Sequence, residues 1–234
     1  MQAVILAGGK GTRLAPYTMV FPKPLMPIGD VPILEIVIRQ LKKHGFTKIV
    51  LAVGHLAGLI EAYFEDGSKW GVEITYSRED EPLGTAGPLA LLDDLDENFL
   101  VMNGDLLTNI DYSDLMCHHL ESGALSTVSI YTKEVPISLG VLKLDDDGKI
   151  VDYIEKPTLK YKVSMGIYVF NNDVLNYIRR GKYLDFPDLI KTLIQKNKNV
   201  SGYMFEGYWM DIGRHEDYSK VLEEFEKMKD ELLF

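Results

Sequence analysis

Residues 3–13 read Ala3-Val4-Ile5-Leu6-Ala7-Gly8-Gly9-Lys10-Gly11-Thr12-Arg13, an apolar run that passes directly into a glycine-rich loop. The run over 3–6 predicts a buried strand, because it is short, apolar throughout and ended by glycines. Glycines after a strand let backbone N–H groups approach an anion closely, and the missing side chains leave room for phosphate. The glycine spacing is neither the dinucleotide fingerprint nor the P-loop of ATPases, and the Lys-Ser/Thr that closes a P-loop is absent. Taken alone, such a cluster can equally be a tight turn.

The residues that follow favour the phosphate reading. Arg13 and Lys23 lie ten positions apart, and Lys23 stands between Pro22 and Pro24. Prolines restrict the backbone, so this ammonium is presented from a stiff segment. A preorganised Arg and Lys beside a phosphate loop suit a reaction in which negative charge grows on a leaving pyrophosphate.

Further along, residues 48–53, 72–76 and 99–102 predict buried strands. Between them Leu34, Val37, Ile38 and Leu41, then Leu56, Ile60 and Phe64, fall at helical spacing. Asp30 with Pro32 marks a helix start and Gly45 a stop. Alternating strands and helices predict an α/β fold, a Rossmann-like mixed but mainly parallel sheet with helices on both faces. After residue 105 the pattern mixes: strands are expected at 126–131, 140–144, 150–154, 164–170 and 200–205, and helices at 173–180 and 186–197. Asp145-Asp146-Asp147-Gly148 reads as a solvated hairpin turn rather than a metal site. An amphipathic helix is expected over 215–233, with Leu222, Phe225, Met228 and Leu232 on its apolar face. No compositional break divides the chain, so residues 1–234 are expected to form one catalytic domain.

Bulk properties exclude several classes. With 234 residues, 46% hydrophobic, the chain can bury a core without disulfide or metal staples. Its one cysteine, Cys117, reads as an incidental thiol in a reducing compartment. The net charge of −10 argues against a nucleic-acid partner. The opening apolar run is too short for a signal peptide and no run is long enough for a membrane span. A cytoplasmic location without membrane attachment is expected, and exposed Tyr and Met residues hint at a homodimer.

The segment from Gly8 to Pro27 resembles the signature of the sugar-1-phosphate nucleotidylyltransferases: glycine–glycine–x–glycine–threonine–arginine–leucine, then proline–lysine–proline. The resemblance continues through Glu81-Pro82-Leu83-Gly84-Thr85-Ala86-Gly87, Asn103-Gly104-Asp105, Glu155-Lys156-Pro157 and Trp209-Met210-Asp211-Ile212-Gly213. Five blocks in family order cover nearly the whole chain. The resemblance implies the nucleotide-diphospho-sugar transferase fold, a nucleoside triphosphate and a sugar 1-phosphate as substrates, and Mg²⁺ as cofactor. It further implies that Arg13, Lys23 and Asp105 are catalytic and that Asp105 and Asp211 hold the metal. Two carboxylates plus phosphate oxygens and water suit that ion. The implied nucleotide contacts are Leu6, Ala7, Gly8, Gly9, Gly11, Thr12, Arg13, Lys23, Pro82, Gly84, Thr85, Asn103, Gly104 and Asp105. Gly140, Glu155, Lys156, Ser164 and Gly166 match sugar-phosphate positions. Many relatives carry asparagine where this chain has Ser164, whose shorter hydroxyl does not span the same distance.

Glu79 bears on the base. A carboxylate only accepts hydrogen bonds, and guanine offers adjacent N1–H and N2–H donors, whereas uracil and thymine offer one N–H flanked by acceptors. GTP is favoured on this argument, with a mannose- or heptose-type sugar. Uridylyl, thymidylyl or cytidylyl transfer to glucose 1-phosphate or an amino-sugar 1-phosphate is the alternative. Gly87-Pro88-Leu89 look most like the mannose-1-phosphate guanylyltransferases. The eukaryotic-type members of that group carry an added left-handed β-helix domain, which is not expected in a chain stopping at Phe234. A non-catalytic nucleotide-sugar sensor is a second class of reading, and a nicotinamide-dependent dehydrogenase, which lacks the required glycine spacing, a third.

Overall fold

The computed structural model describes residues 1–79 and 81–233; Asp80 and Phe234 lie outside the described residues. In chain order the elements are β1 (Gln2–Ala7), β2 (Pro27–Ile28), β3 (Val31–Pro32), α1 (Ile33–Lys43), β4 (Lys48–Val53), α2 (Ala57–Phe64) and β5 (Glu73–Arg78). There follow β6 (Asn98–Asn103), β7 (Leu106–Thr108), α3 (Tyr112–Ser122), β8 (Ser126–Pro136), β9 (Val141–Leu144), β10 (Ile150–Ile154) and β11 (Thr158–Asn171). The chain closes with α4 (Phe186–Gln195), β12 (Val200–Phe205), β13 (Trp209–Asp211) and α5 (His215–Leu233).

A seven-stranded sheet in the order β12-β8-β11-β6-β1-β4-β5 organises the molecule. β1 pairs in parallel with both β4 and β6, and β11 alone runs antiparallel to its neighbours β6 and β8. The sheet is therefore mixed and mainly parallel, as expected. Its residue alternation explains why β1 is apolar from Ala3 to Ala7. Ala3, Ile5 and Ala7 enter one core with Leu34, Val37 and Leu41 of α1, Ile60 and Phe64 of α2, and Leu115 of α3. Val4 enters the core on the opposite face with Val101, Phe170 and, from α4, Phe186, Leu189 and Leu193. A strand buried on both faces favours apolar residues, and Gln2 at its start is buried with its amide bonded to the Asp94 carbonyl and the Asp96 N–H.

A third core lies at one side of the sheet and gathers Leu14, Met26, Ile28, Ile33, Ile36, Leu107, Ile212, Val221 and Phe225. It fixes the segment between β1 and α1 against β7, β13 and the closing helix.

Several boundaries differ from expectation. Helix α1 begins at Ile33, not Asp30, because Val31–Pro32 pairs antiparallel with Pro27–Ile28 around Gly29, whose φ is +63°. The stretch 173–180 is not an α-helix but a 3-10 turn over Asn172–Tyr177. Val174 is its one buried residue, and the Asn171 side chain accepts from Asp173 N–H, so it lacks the apolar face an α-helix needs. Strands β8 and β11 run beyond the expected 126–131 and 164–170, pairing from Thr158–Pro136 to Phe170–Ser126. Helix α3 escapes the apolar pattern because His119, fully buried between Thr127 and Asn98, stands where an aliphatic residue would have signalled the stripe.

Candidate active site

The crevice opens where the chain changes direction in the sheet. From β1 it proceeds outward through β4 to β5, then returns to β6 on the other side of β1. In open α/β sheets ligands bind outside the carboxyl ends of the strands at such a switch point. The loops after β1 and β6 meet there: Gly104 N–H donates to Leu6 O at 2.9 Å, and a Cβ on Gly104 would stand 3.0 Å from that oxygen.

The glycine loop is held by close backbone approach. His55 N–H donates to Gly8 O, and a Cβ on Gly54 would lie 2.9 Å from the same oxygen. Gly11 takes φ +60°, and the buried Thr18 hydroxyl donates to Gly11 O at 2.8 Å. Thr18 had no distinguishing signal in sequence. Its role appears when the Arg13–Lys23 segment folds back on the loop, bringing Lys23 Cβ within 3.3 Å of where a Gly11 Cβ would stand.

Lys23, buried in the loop, makes an ion pair with Asp105 Oδ2. Asp105 follows β6, while Ile212 N–H donates to Asp105 O at 3.1 Å and Asp211 pairs with Leu106 across the β7–β13 ladder. Arg13 lays its guanidinium against Gly213, where a Cβ would meet Nη1 at 3.3 Å. The four charged residues thus share one crevice, although they come from four separate segments.

The electrostatics bear the marks of that convergence. The Asp211 carboxyl opens to solvent at the mouth, but crowding by the crevice walls raises its pKa. The Asp105 charge adds to the rise, while Lys23 and Arg13 counter it. Asp105 Oδ1 is buried and has no hydrogen-bond partner among the described residues. An orphaned acceptor beside a second carboxylate is costly, and a hard divalent cation with oxygen ligands would satisfy both groups. The pair fits Mg²⁺ in this chemical sense.

On the base side, Glu79 sits beside Gly8, with Oε1 2.9 Å from where a Gly8 Cβ would be. Its Oε2 accepts from Leu83 N–H at 2.9 Å, so one oxygen already caps its own loop. Pro82 is exposed at the rim. Thr85, expected among the nucleotide contacts, has internal partners for its polar groups. Its N–H and hydroxyl both donate to Asp185 Oδ1, at 2.9 and 3.1 Å, and the hydroxyl oxygen accepts from Phe186 N–H. Thr85 pins the loop to the start of α4. Its polar groups are engaged there because the next glycine turn, at Gly84 with φ +78°, lies directly on Leu184 and Asp185.

The sugar-side residues fall into two groups. Gly140, Glu155 and Lys156 belong to the exposed arm that carries β9 and β10. There the Tyr153 hydroxyl packs against Gly140 and donates to Glu155 Oε2 at 3.1 Å. Lys156, at φ +45°, lies 3.8 Å from Glu155 Oε1. Ser164 and Gly166 instead flank an irregularity in β11 beside the crevice. Gly166, at φ +74°, packs on Asn103, the Ser164 hydroxyl hydrogen-bonds the Tyr168 hydroxyl at 3.0 Å, and Trp209 Nε1–H donates to Met165 O. The run 158–163 separates the groups by roughly 20 Å of strand.

A glycine loop, two cations and two carboxylates gathered at the switch point of a mainly parallel sheet define an α/β protein with its candidate site outside the carboxyl ends of the strands. The chain belongs to the nucleotidyl transferase family, whose description, "Nucleotidyl transferase", matches residues 2–228. It is 38% identical to a UTP–glucose-1-phosphate uridylyltransferase of Synechocystis over 95% of this chain and 62% of that protein. It is 35% identical to the mannose-1-phosphate guanylyltransferase catalytic subunit beta of Dictyostelium discoideum over 93% of this chain and 62% of that one. The chain thus spans under two thirds of the length of these relatives. Among solved structures, it resembles a protein assigned as a glucose-1-phosphate thymidylyltransferase from Bacillus anthracis, in complex with sucrose. The TM-score is 0.79 at 26% identity, covering 95% of this chain and 94% of that one. HddC from Yersinia pseudotuberculosis complexed with GMP-PN superposes with a TM-score of 0.73 at 26% identity, covering 96% and 99% of the two chains. The family and fold expected from the sequence are both established. No helix among the described residues is long and apolar enough to cross a membrane.

Proposed function

We propose that this chain transfers a nucleotidyl group from a nucleoside triphosphate to a sugar 1-phosphate. The observation that carries the proposal is the meeting of Arg13, Lys23, Asp105 and Asp211 in one crevice at the sheet's switch point. A sugar-phosphate oxygen forms a bond to the α-phosphorus of the triphosphate, the bond from that phosphorus to the oxygen bridging to the β-phosphate breaks, and pyrophosphate leaves. The nucleophile is already an anion at neutral pH, so positioning and charge neutralisation do the work. In this reading the glycine loop receives the triphosphate, Arg13 and Lys23 stabilise the pyrophosphate side, and Lys156 orients the incoming sugar phosphate. Asp105 and Asp211 would hold Mg²⁺, which supplies charge neutralisation at the reacting phosphates when bound.

GTP is the base we favour, on the acceptor-only carboxylate of Glu79 beside Gly8. The Leu83 bond narrows the match, leaving Oε1 and the remaining lone pair of Oε2 for guanine. UTP is the alternative that the cyanobacterial relative favours, and a mannose- or heptose-type sugar stands beside glucose in the same way. The test is a matrix of nucleoside triphosphates against sugar 1-phosphates, with pyrophosphate release scored in Mg²⁺ and in EDTA. Turnover with GTP is expected. Turnover with UTP and none with GTP would remove the Glu79 argument, and no turnover in any cell of the matrix would remove the enzyme reading.

A further inference from the structure

We propose that Asp185 is a positioning residue that sets the shape of the base-side loop and, through it, discrimination among nucleobases. The inference rests on the reading of that loop as the base site.

The loop 81–87 has little structure of its own, and its bonds run mostly to a segment about a hundred residues later. Asp185 Oδ1 takes both the Thr85 N–H and the Thr85 hydroxyl hydrogen, and Phe186 N–H closes the circuit onto the Thr85 oxygen. The Tyr183 hydroxyl donates to Asp185 Oδ2 at 2.7 Å, which orients the carboxylate. Backbone bonds run alongside: Leu184 N–H to Leu83 O, and both Ala86 and Gly87 N–H to Leu184 O, at 2.9 to 3.0 Å. At its other end the same loop is tied by Leu83 N–H to Glu79. Charge-assisted bonds of this kind are shorter and about twice as strong as neutral ones.

What anchors the clamp is rigid. Phe186 is buried with its ring 4.5 Å from that of Tyr168 and 5.7 Å from that of Phe170. A continuous path therefore runs from the core behind β11 through Asp185 and Thr85 to Leu83 and Glu79. Arg13, Lys23, Asp105 and Asp211 hang on a different core, built from Leu14, Met26, Leu107 and Ile212. Releasing the clamp should therefore loosen the reading of the base and leave the grip on the phosphates.

The experiment compares wild type, Asp185→Ala and Asp185→Asn. It measures dissociation constants for GTP, UTP, dTTP and CTP by titration calorimetry, and KM for nucleotide and sugar 1-phosphate wherever turnover is found. Asp185→Ala is expected to weaken the preferred nucleotide by about tenfold to a hundredfold, and to compress the spread among the four bases. KM for the sugar 1-phosphate should stay within about twofold. Asp185→Asn keeps the Oδ1 acceptor and should restore both affinity and selectivity, an outcome that general loss of packing would not produce. Unchanged selectivity in the alanine variant, or equal losses for both substrates, overturns the proposal. A wild type that binds nucleotides selectively without turnover removes the enzyme reading and still tests Asp185. A wild type that binds no nucleotide removes both.

Discussion

Lys23 and Asp105 lie 82 residues apart in sequence and form an ion pair at the floor of the crevice. The pair leaves Asp105 with one oxygen engaged and the other buried without a partner among the described residues. Lys23 therefore holds the carboxylate by one oxygen, close enough to Asp211 for the two acids to influence each other's charge.

Replacing Lys23 with alanine should lower turnover by about a hundredfold to a thousandfold, the usual loss for one electrostatic contact to a transition state. Arginine at the same position should not rescue it, because the planar fork does not fit a space shaped for an ammonium buried between two prolines. Steady-state pyrophosphate release measures this, and activity within tenfold of wild type in Lys23→Ala would exclude the role.

Asp211→Asn should raise thermal stability in EDTA at neutral pH while abolishing turnover. The Asp211 pKa is raised in the folded state, by crowding first and then by Asp105. Its contribution to stability is fully present below the unfolded value and is lost as pH rises through the raised folded one. At neutral pH the ionised group therefore opposes folding, and asparagine removes that opposition. Melting curves should show the gain at pH 7 and a smaller one as the pH approaches 4. A lower Tm for the variant at pH 7 without metal contradicts the electrostatics described.

Two glycines should behave in opposite ways. Gly54→Ala places a Cβ 2.9 Å from Gly8 O, so strand β4 and the glycine loop must separate. Overpacking of this sort costs about 1–3 kcal/mol, and nucleotide affinity should fall with it. Gly58, within α2, would meet nothing within 4 Å. Gly58→Ala should be neutral or add roughly 0.4–1 kcal/mol through the unfolded chain. Denaturant titration of the two variants distinguishes them, and equal effects would contradict the packing.

Asp111→Ala should destabilise α3 by about 0.5–2 kcal/mol, the usual cost of losing an N-cap. Asp111 accepts from Ser113 and Asp114 N–H and lies 3.0 Å from His44 Nδ1. Burial pushes its pKa up, but the Asp114 N–H, the His44 charge and Ser113 outweigh that and hold it below the usual carboxylate value. The stability this lends is present above the unfolded pKa of about 3.9 and is lost as pH falls through the lower folded one. The gap in stability between wild type and variant, followed by urea titration from pH 7 down to pH 2.5, should therefore close only below about pH 4.

Much of the architecture was legible because burial on both faces of a parallel sheet forces unbroken apolar runs. Strands β4, β10 and β12 appear at their expected bounds, and β1, β6 and β9 within one residue of theirs at each end. Helix α3 and the long reach of β8 and β11 were not legible, since a buried histidine and an exposed arm carry no periodic signal. The candidate site residues stood out as blocks, through glycines and prolines whose backbone demands are local. Thr85 shows where such reading stops: that a carboxylate a hundred residues away takes its hydroxyl hydrogen has no trace in the local sequence.

From the sequence alone came the strand–glycine-loop opening, the stiff Lys23 segment, the α/β class and the family, all of which depend on short-range chemistry. Tertiary structure alone decided that Arg13, Lys23, Asp105 and Asp211 face one another. Each stands within a few residues of an apolar anchor, Leu14, Met26, Leu107 or Ile212, and those anchors meet in a single core. Burial of apolar side chains is non-directional and indifferent to separation along the chain, so which anchors meet is settled only when the whole chain packs.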